Sequence, residues 1–139
     1  MQWKKGEYEV VIRLDQGDEI QKSVIEVCKA ENIKSAYLSG IGSLKNVEIA
    51  HYDTVYAKYG SGMFEGMFEI ASMTGNISTA EEKHIAHIHI VLGKSDFSTL
   101  GGHLVNGIVG PTCEIILLPL ETQIRREKDK KTGLMLTKF

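Results

Sequence analysis

The sequence predicts an α+β fold: a largely antiparallel sheet with one main amphipathic helix packed on it. Three observations carry that reading. Six or more short segments alternate polar and apolar residues with a period of two. A single segment, from Ile20 to about Glu31, repeats its apolar residues at helical spacing instead. Turn signals rich in glycine separate the segments. One helix against many strands places the chain with sheet-based folds. The 139 residues suffice for one domain with a real core and are too few to argue for two, so 1–139 is read as a single domain.

In order, Glu7 to Asp15 sets Tyr8, Val10, Ile12 and Leu14 on one face, a first strand with those four toward the core. Gln16-Gly17 turns the chain, and Asp18 with Gln21 reads as a capping box. In the helix that follows, Ile20, Val24, Ile25 and Cys28 form the apolar stripe. Ser35 to Ser43 is strand-like, with Gly40 and Gly42 marking a bend, bulge or close backbone packing. Val47, Ile49 and His51 alternate along a further strand, and 53–62 reads as an exposed connection able to line a site. Met67 to Thr74 offers Phe68 and Ile70 on one face and Met67, Glu69, Ala71 and Met73 on the other. The stretch from Gly75-Asn76 to Lys83 is expected to turn into the next strand, which ends at Gly93. After the polar connection 94–100, two apolar runs lead through Pro111 to Leu120. Residues 125–131 carry charges of both signs and read as a solvated connection or fraying end, with Leu134-Met135-Leu136 as an edge strand, so about 125–139 is a peripheral tail or edge element.

Sixteen basic and eighteen acidic residues give a net charge of −2, which lacks the basic excess that draws a protein to phosphate backbones. No apolar run approaches membrane-spanning length and the first residues have no signal-peptide core, so the expectation is a cytoplasmic protein with no membrane partner. Cys28 and Cys113 lie in apolar surroundings and read as small buried hydrophobes, not as a disulfide.

The segment Ile85 to Gly93 sets imidazoles inside the most strand-like apolar run. Side chains two apart share a face, so His87 and His89 point one way while Ala86, Ile88, Ile90 and Leu92 fill the other. His84 has the wrong parity for this pair, and His51 at a strand end is read as hydrogen-bonded or half-exposed. Thirteen residues separate His89 from His103, room for the chain to return alongside, and Gly101-Gly102 permits close backbone approach. Two readings remain open on the residues alone: a three-histidine metal site, or polar members of a half-exposed sheet face. Three imidazoles plus water is an open zinc ligand set, and imidazole also suits Cu, Ni and Fe.

Several motifs resemble the plant and prokaryote conserved domain, the PPC family. They are Arg13-Leu14-Asp15 with Gly17-Asp18, Ser39-Gly40-Ile41-Gly42-Ser43, Glu65 to Ile70, and Thr74-Gly75-Asn76-Ile77. His87-Ile88-His89, Gly101-Gly102-His103-Leu104 and Thr112-Cys113-Glu114-Ile115 complete them, in order and over nearly the whole chain. The resemblance implies an α+β fold around an antiparallel sheet, a homotrimer, and, in stand-alone prokaryotic members, zinc or another divalent transition metal on histidines matching His87, His89 and His103. Plant relatives add an Arg-Gly-Arg-Pro hook for the minor groove, a segment that these 139 residues do not contain. DNA binding is therefore the weaker expectation, since the basic residues of 125–131 are diluted by Glu127 and Asp129. A zinc-dependent reaction on a small-molecule ligand at the metal is the enzyme reading. Its polar candidates are Glu69, Asn76, Glu114 and Arg13; the alternative for each is to satisfy a buried polar group or a subunit contact. A metal-stabilised trimer without turnover is the third.

Overall fold

The computed structural model describes residues 1–56 and 58–138. Positions 57 and 139, which fall in the expected 53–62 connection and the 125–139 tail, lie outside the described residues. The order is β1 (Gln2–Lys5), β2 (Val10–Asp15), α1 (Ile20–Ala30), β3 (Ala36–Asp53), β4 (Lys58–Ala80), β5 (Lys83–Gly93), β6 (Thr99–Pro119), β7 (Arg125–Lys128) and β8 (Met135–Lys138). Strand accounts for 67%, so the molecule is sheet-dominated with one short helix and not a balanced α+β fold. The physical reason lies in β3, β4 and β6. Their glycines and polar residues, which read as breaks between short strands, are absorbed as register shifts, for example between Gly40 and Gly42 and between Leu44 and Asn46.

The sheet runs β1-β2-β6-β3-β4-β7-β8, and β5 pairs with both β4 and β6, so β3, β4, β5 and β6 close into a ring. These pairings are antiparallel except β4 with β7, which is parallel at Thr79↔Arg125. The ring and β2 bury Ile12, Leu14, Leu38, Ile88, Leu92 and Ile115, and α1, lying against β5 and β6, buries Ile20, Val24, Val27 and Cys28. Each such side chain contributes roughly 1.5–3 kcal/mol on leaving water. The alternation read in β5 holds: Ile88, Ile90 and Leu92 face this core while His89 and Val91 are exposed.

Several local expectations are corrected. Tyr8 is exposed, because Gly6 N–H donates to the Glu9 carbonyl (2.8 Å) and turns β1 back onto β2, which begins only at Val10. No side chain caps α1. Asp18 instead accepts from Asp15 N–H at 2.9 Å, and the Gln21 amide donates to the Leu104 carbonyl at 3.0 Å. In β4, a register shift between Ile70 and Ser72 brings Met73 to the core and leaves Met67 and Glu69 exposed. Most of 53–62 is strand, with Asp53 paired to Lys58. Within the stretch 75–83 expected to turn, the reversal comes at Glu81 and Glu82, both with positive φ (48° and 62°), while Gly75 to Ala80 continues β4. Gly75 serves close approach: a Cβ there would collide with the His87 carbonyl.

Cys28 and Cys113 are free and buried, and burial pushes both thiols up to about 12. No helix is long and apolar enough to cross a membrane among the described residues.

Candidate metal centre

The side chains of His87, His89 and His103 come together on the outer face of the β5–β6 hairpin. Strand parity sets the first two. The register His89↔His103 sets the third directly opposite, on the last rung before β6 leaves β5 and passes to β3. The glycine pair is used as its chemistry suggests, since a Cβ on Gly101 would meet the Ile90 carbonyl oxygen at 2.6 Å and one on Gly102 the Ala50 oxygen at 2.9 Å.

One nitrogen from each ring lies within 4.8 Å of the others, and the ring centroids are 5.1–5.5 Å apart. Two nitrogens on one tetrahedral zinc stand roughly 3.3 Å apart, as follows from Zn–N bonds of about 2.0–2.1 Å, so the cluster is gathered at near-ligating distance. His87 and His103 are half-buried and His89 is exposed. Burial, then the positive Arg126 and then the neighbouring imidazoles lower His87 from 6.5 to about 4. His103 is lowered by burial first, then by His89 and Arg126. Both rings are thus neutral near pH 7 and keep the lone pair a cation needs. His103 Nδ1 is buried and has no hydrogen-bond partner among the described residues, a cost that a cation bound at that nitrogen would remove. The donor set fits a divalent transition metal.

Beside the cluster stands Arg126 of β7. Its Nε donates to Ser78 Oγ (2.9 Å), Nη1 to the Met135 carbonyl (2.9 Å), and Nη2 to Asn76 Oδ1 (2.9 Å) and His87 Nδ1 (3.0 Å). With Tyr59 and the β8 side it encloses a cavity of about 390 Å³ that opens on His87 and His103. Arg126 went unread because its segment looks like a solvated charged run. The available signal was the apolar Leu134-Met135-Leu136 a short turn later, enough to fold the segment back as a hairpin.

The polar candidates separate. Asn76 is brought to the site, opposite His87 in the β4–β5 register and bonded to Arg126. Glu69 is exposed and pairs with Gly93 at the far end of β5. Arg13 and Glu114 face each other across β2 and β6, exposed and away from the cavity. His84 Nε2 lies 2.9 Å from the Ile33 carbonyl, and His51 is exposed; neither joins the cluster.

The fold and the cluster define a sheet-rich domain carrying three converged histidines on a single hairpin. The chain belongs to the family of the Plants and Prokaryotes Conserved (PCC) domain, whose model matches residues 1–121. It is similar over 99% of its length to a "putative DNA binding protein" of Bacteroides thetaiotaomicron (29% identity, TM-score 0.95, 96% of that chain). A metal-containing protein of Archaeoglobus fulgidus is 32% identical with a TM-score of 0.89, over 99% of this chain and 97% of that one. A plant- and prokaryote-conserved protein of Pyrococcus horikoshii is 30% identical with a TM-score of 0.87, over 99% and 95% of the two chains. No curated protein matches the sequence.

Proposed function

We propose that this is a metal-binding protein with a single PPC-type domain, in which His87, His89 and His103 hold zinc or another divalent transition metal. The observation that carries the reading is the convergence of three imidazole nitrogens within 4.8 Å, reinforced by the unpartnered, buried His103 Nδ1. The metal-containing Archaeoglobus relative supports it. A metal on three neutral imidazoles with an open position supplies Lewis acidity, polarising a carbonyl or lowering the pKa of bound water to about 7. This chain's own residues orient the cluster: strand parity sets His87 and His89 on one face, the hairpin register holds His103 against His89, and Asn76 and Ser78 hold Arg126 beside the site. Metal analysis of protein purified and dialysed against zinc tests the reading. The wild type is expected to retain close to one equivalent, and His87→Ala/His89→Ala close to none; equal occupancy sinks it.

The proposal includes a cytoplasmic homotrimer. Val11, Tyr37, Ile41, Ile116 and Leu118 are exposed on the outer face of β2, β6 and β3, where Val11 pairs with Ile116 and Tyr37 with Leu118. An apolar face of that kind is best covered by other subunits. Sedimentation should give three times the chain mass, and Ile116→Asp should lower it. DNA binding is the second reading, favoured by the name of the Bacteroides relative and opposed by the net charge of −2. A mobility-shift titration decides it: phosphate contacts demand a shift that weakens steeply with salt.

A further inference from the structure

We infer that the cavity beside the histidine cluster binds a small organic monocarboxylate with a short apolar tail, whose charged end is taken by Arg126. The inference deepens the metal reading and rests on it for one step, the release of Arg126 from His87.

Charge is the first argument. Arg126 is half-buried and takes part in no ion pair among the described residues. The acidic residues near it in sequence are engaged elsewhere: Glu127 with Lys138 at 2.6 Å, and Asp129 with Thr132 at 2.8 Å. No carboxylate lines the cavity among the described residues. A divalent ion on neutral ligands would add two positive charges to the guanidinium's one. Positive charge withdrawn from water without a counter-ion is costly, so the site is completed by an anion.

Hydrogen bonding is the second. A guanidinium has five N–H donors, and four are used by Ser78, Met135, Asn76 and His87, which leaves one on Nη1. A neutral imidazole has one free lone pair, so His87 cannot both accept from Arg126 and ligate a metal. When the metal takes it, the Nη2 donor is released too. One free donor on each terminal nitrogen suits the two oxygens of a carboxylate.

The walls are the third. Ile85, Ala86, Leu134 and Leu136 line the cavity around Arg126. They accommodate a few methyl or methylene groups, and inorganic phosphate would leave oxygens against them unpaired. A volume of about 390 Å³ is at the small-molecule end of known pockets.

Isovalerate, its neutral isostere isovaleramide and inorganic phosphate are the probes, titrated calorimetrically into zinc-loaded and EDTA-treated full-length protein. Isovalerate should bind the zinc-loaded wild type saturably, with phosphate weaker, and isovaleramide and Arg126→Gln each weaker by about tenfold or more. If Arg126→Gln does not fold, Leu136→Glu decides, since its side chain is 44% exposed and tolerates a charge. With an unchanged circular dichroism spectrum it should weaken isovalerate several-fold. Equal binding of acid and amide, phosphate tighter than isovalerate, unchanged affinity in the arginine and leucine variants, or no isovalerate heat by about 10 mM each overturn the inference. In those cases a normal zinc content leaves the metal reading standing. Arg126-dependent isovalerate binding by protein that takes up no zinc would do the reverse.

Discussion

Arg13 on β2 and Arg126 on β7 stand in opposite circumstances. Arg13 is exposed, its Nη2 lies 3.2 Å from Asp15, and Glu114 faces it across the strand pair. Arg126 is half-buried, spends four donors on neutral acceptors and has no carboxylate partner among the described residues. A net charge of −2 therefore averages over a self-neutralised region and a positive one. The difference teaches that chemistry follows desolvation and the company a charge keeps, not the charge count.

Core truncations set the scale for both regions. Ile88→Ala below the histidine hairpin and Ile115→Ala below the Arg13 side should each cost about 2–5 kcal/mol in urea unfolding, because both side chains are fully buried. A much smaller loss at Ile88 would show that the histidine side rests on a looser core. Arg126→Ala comes next. It strips partners from Ser78 and Asn76, and about 2 kcal/mol should be lost, with faster amide exchange in β7 and β8. An unchanged urea midpoint would break the contrast between the two arginines.

The buried thiols probe how readily the two regions open. Cys113 lies on the β2–β6 side, opposite Leu14, and Cys28 lies in α1. Folding raises both from 9.0 to about 12, so the folded state binds more protons than the unfolded state between those values. Their contribution is intact below pH 9 and is lost as pH climbs toward 12. Neither thiol should react with an alkylating reagent at pH 8 until the chain unfolds; unequal rates would reveal that one region opens before the other. The smallest effect is expected for Arg13→Ala, which should leave the urea midpoint almost unmoved because exposed ion pairs add little.

The histidine cluster was legible because strand parity is a local rule, and because a glycine pair beside His103 has a physical use that the structure bears out at Ile90 and Ala50. The family resemblance holds as well. Arg126 was not legible, since its partners Asn76, Ser78 and His87 stand 39–50 residues away in sequence. The turn into β5 was legible only as the stretch 75–83, and its place at Glu81-Glu82 was not, because glutamates seldom adopt positive φ, whereas Gly75, part of an ordinary turn signal, serves close backbone approach. Met73 was placed on the wrong face by a single shifted residue in the ladder, an event that alternation cannot announce.

His103 is the residue at which β6 changes neighbours, pairing with His89 on one side and Ala50 on the other. The span from His87 to His103 is only 17 residues and closes through a tight connection in which Lys94 N–H bonds to the Ser98 carbonyl. The ring, by contrast, closes only when β3 meets β6 across pairs as distant as Ala36↔Pro119. The candidate ligands thus form a low-contact-order island in a slow, non-local topology. A cation captured there would act on the hairpin before ring closure, so metal should quicken refolding more than it retards unfolding.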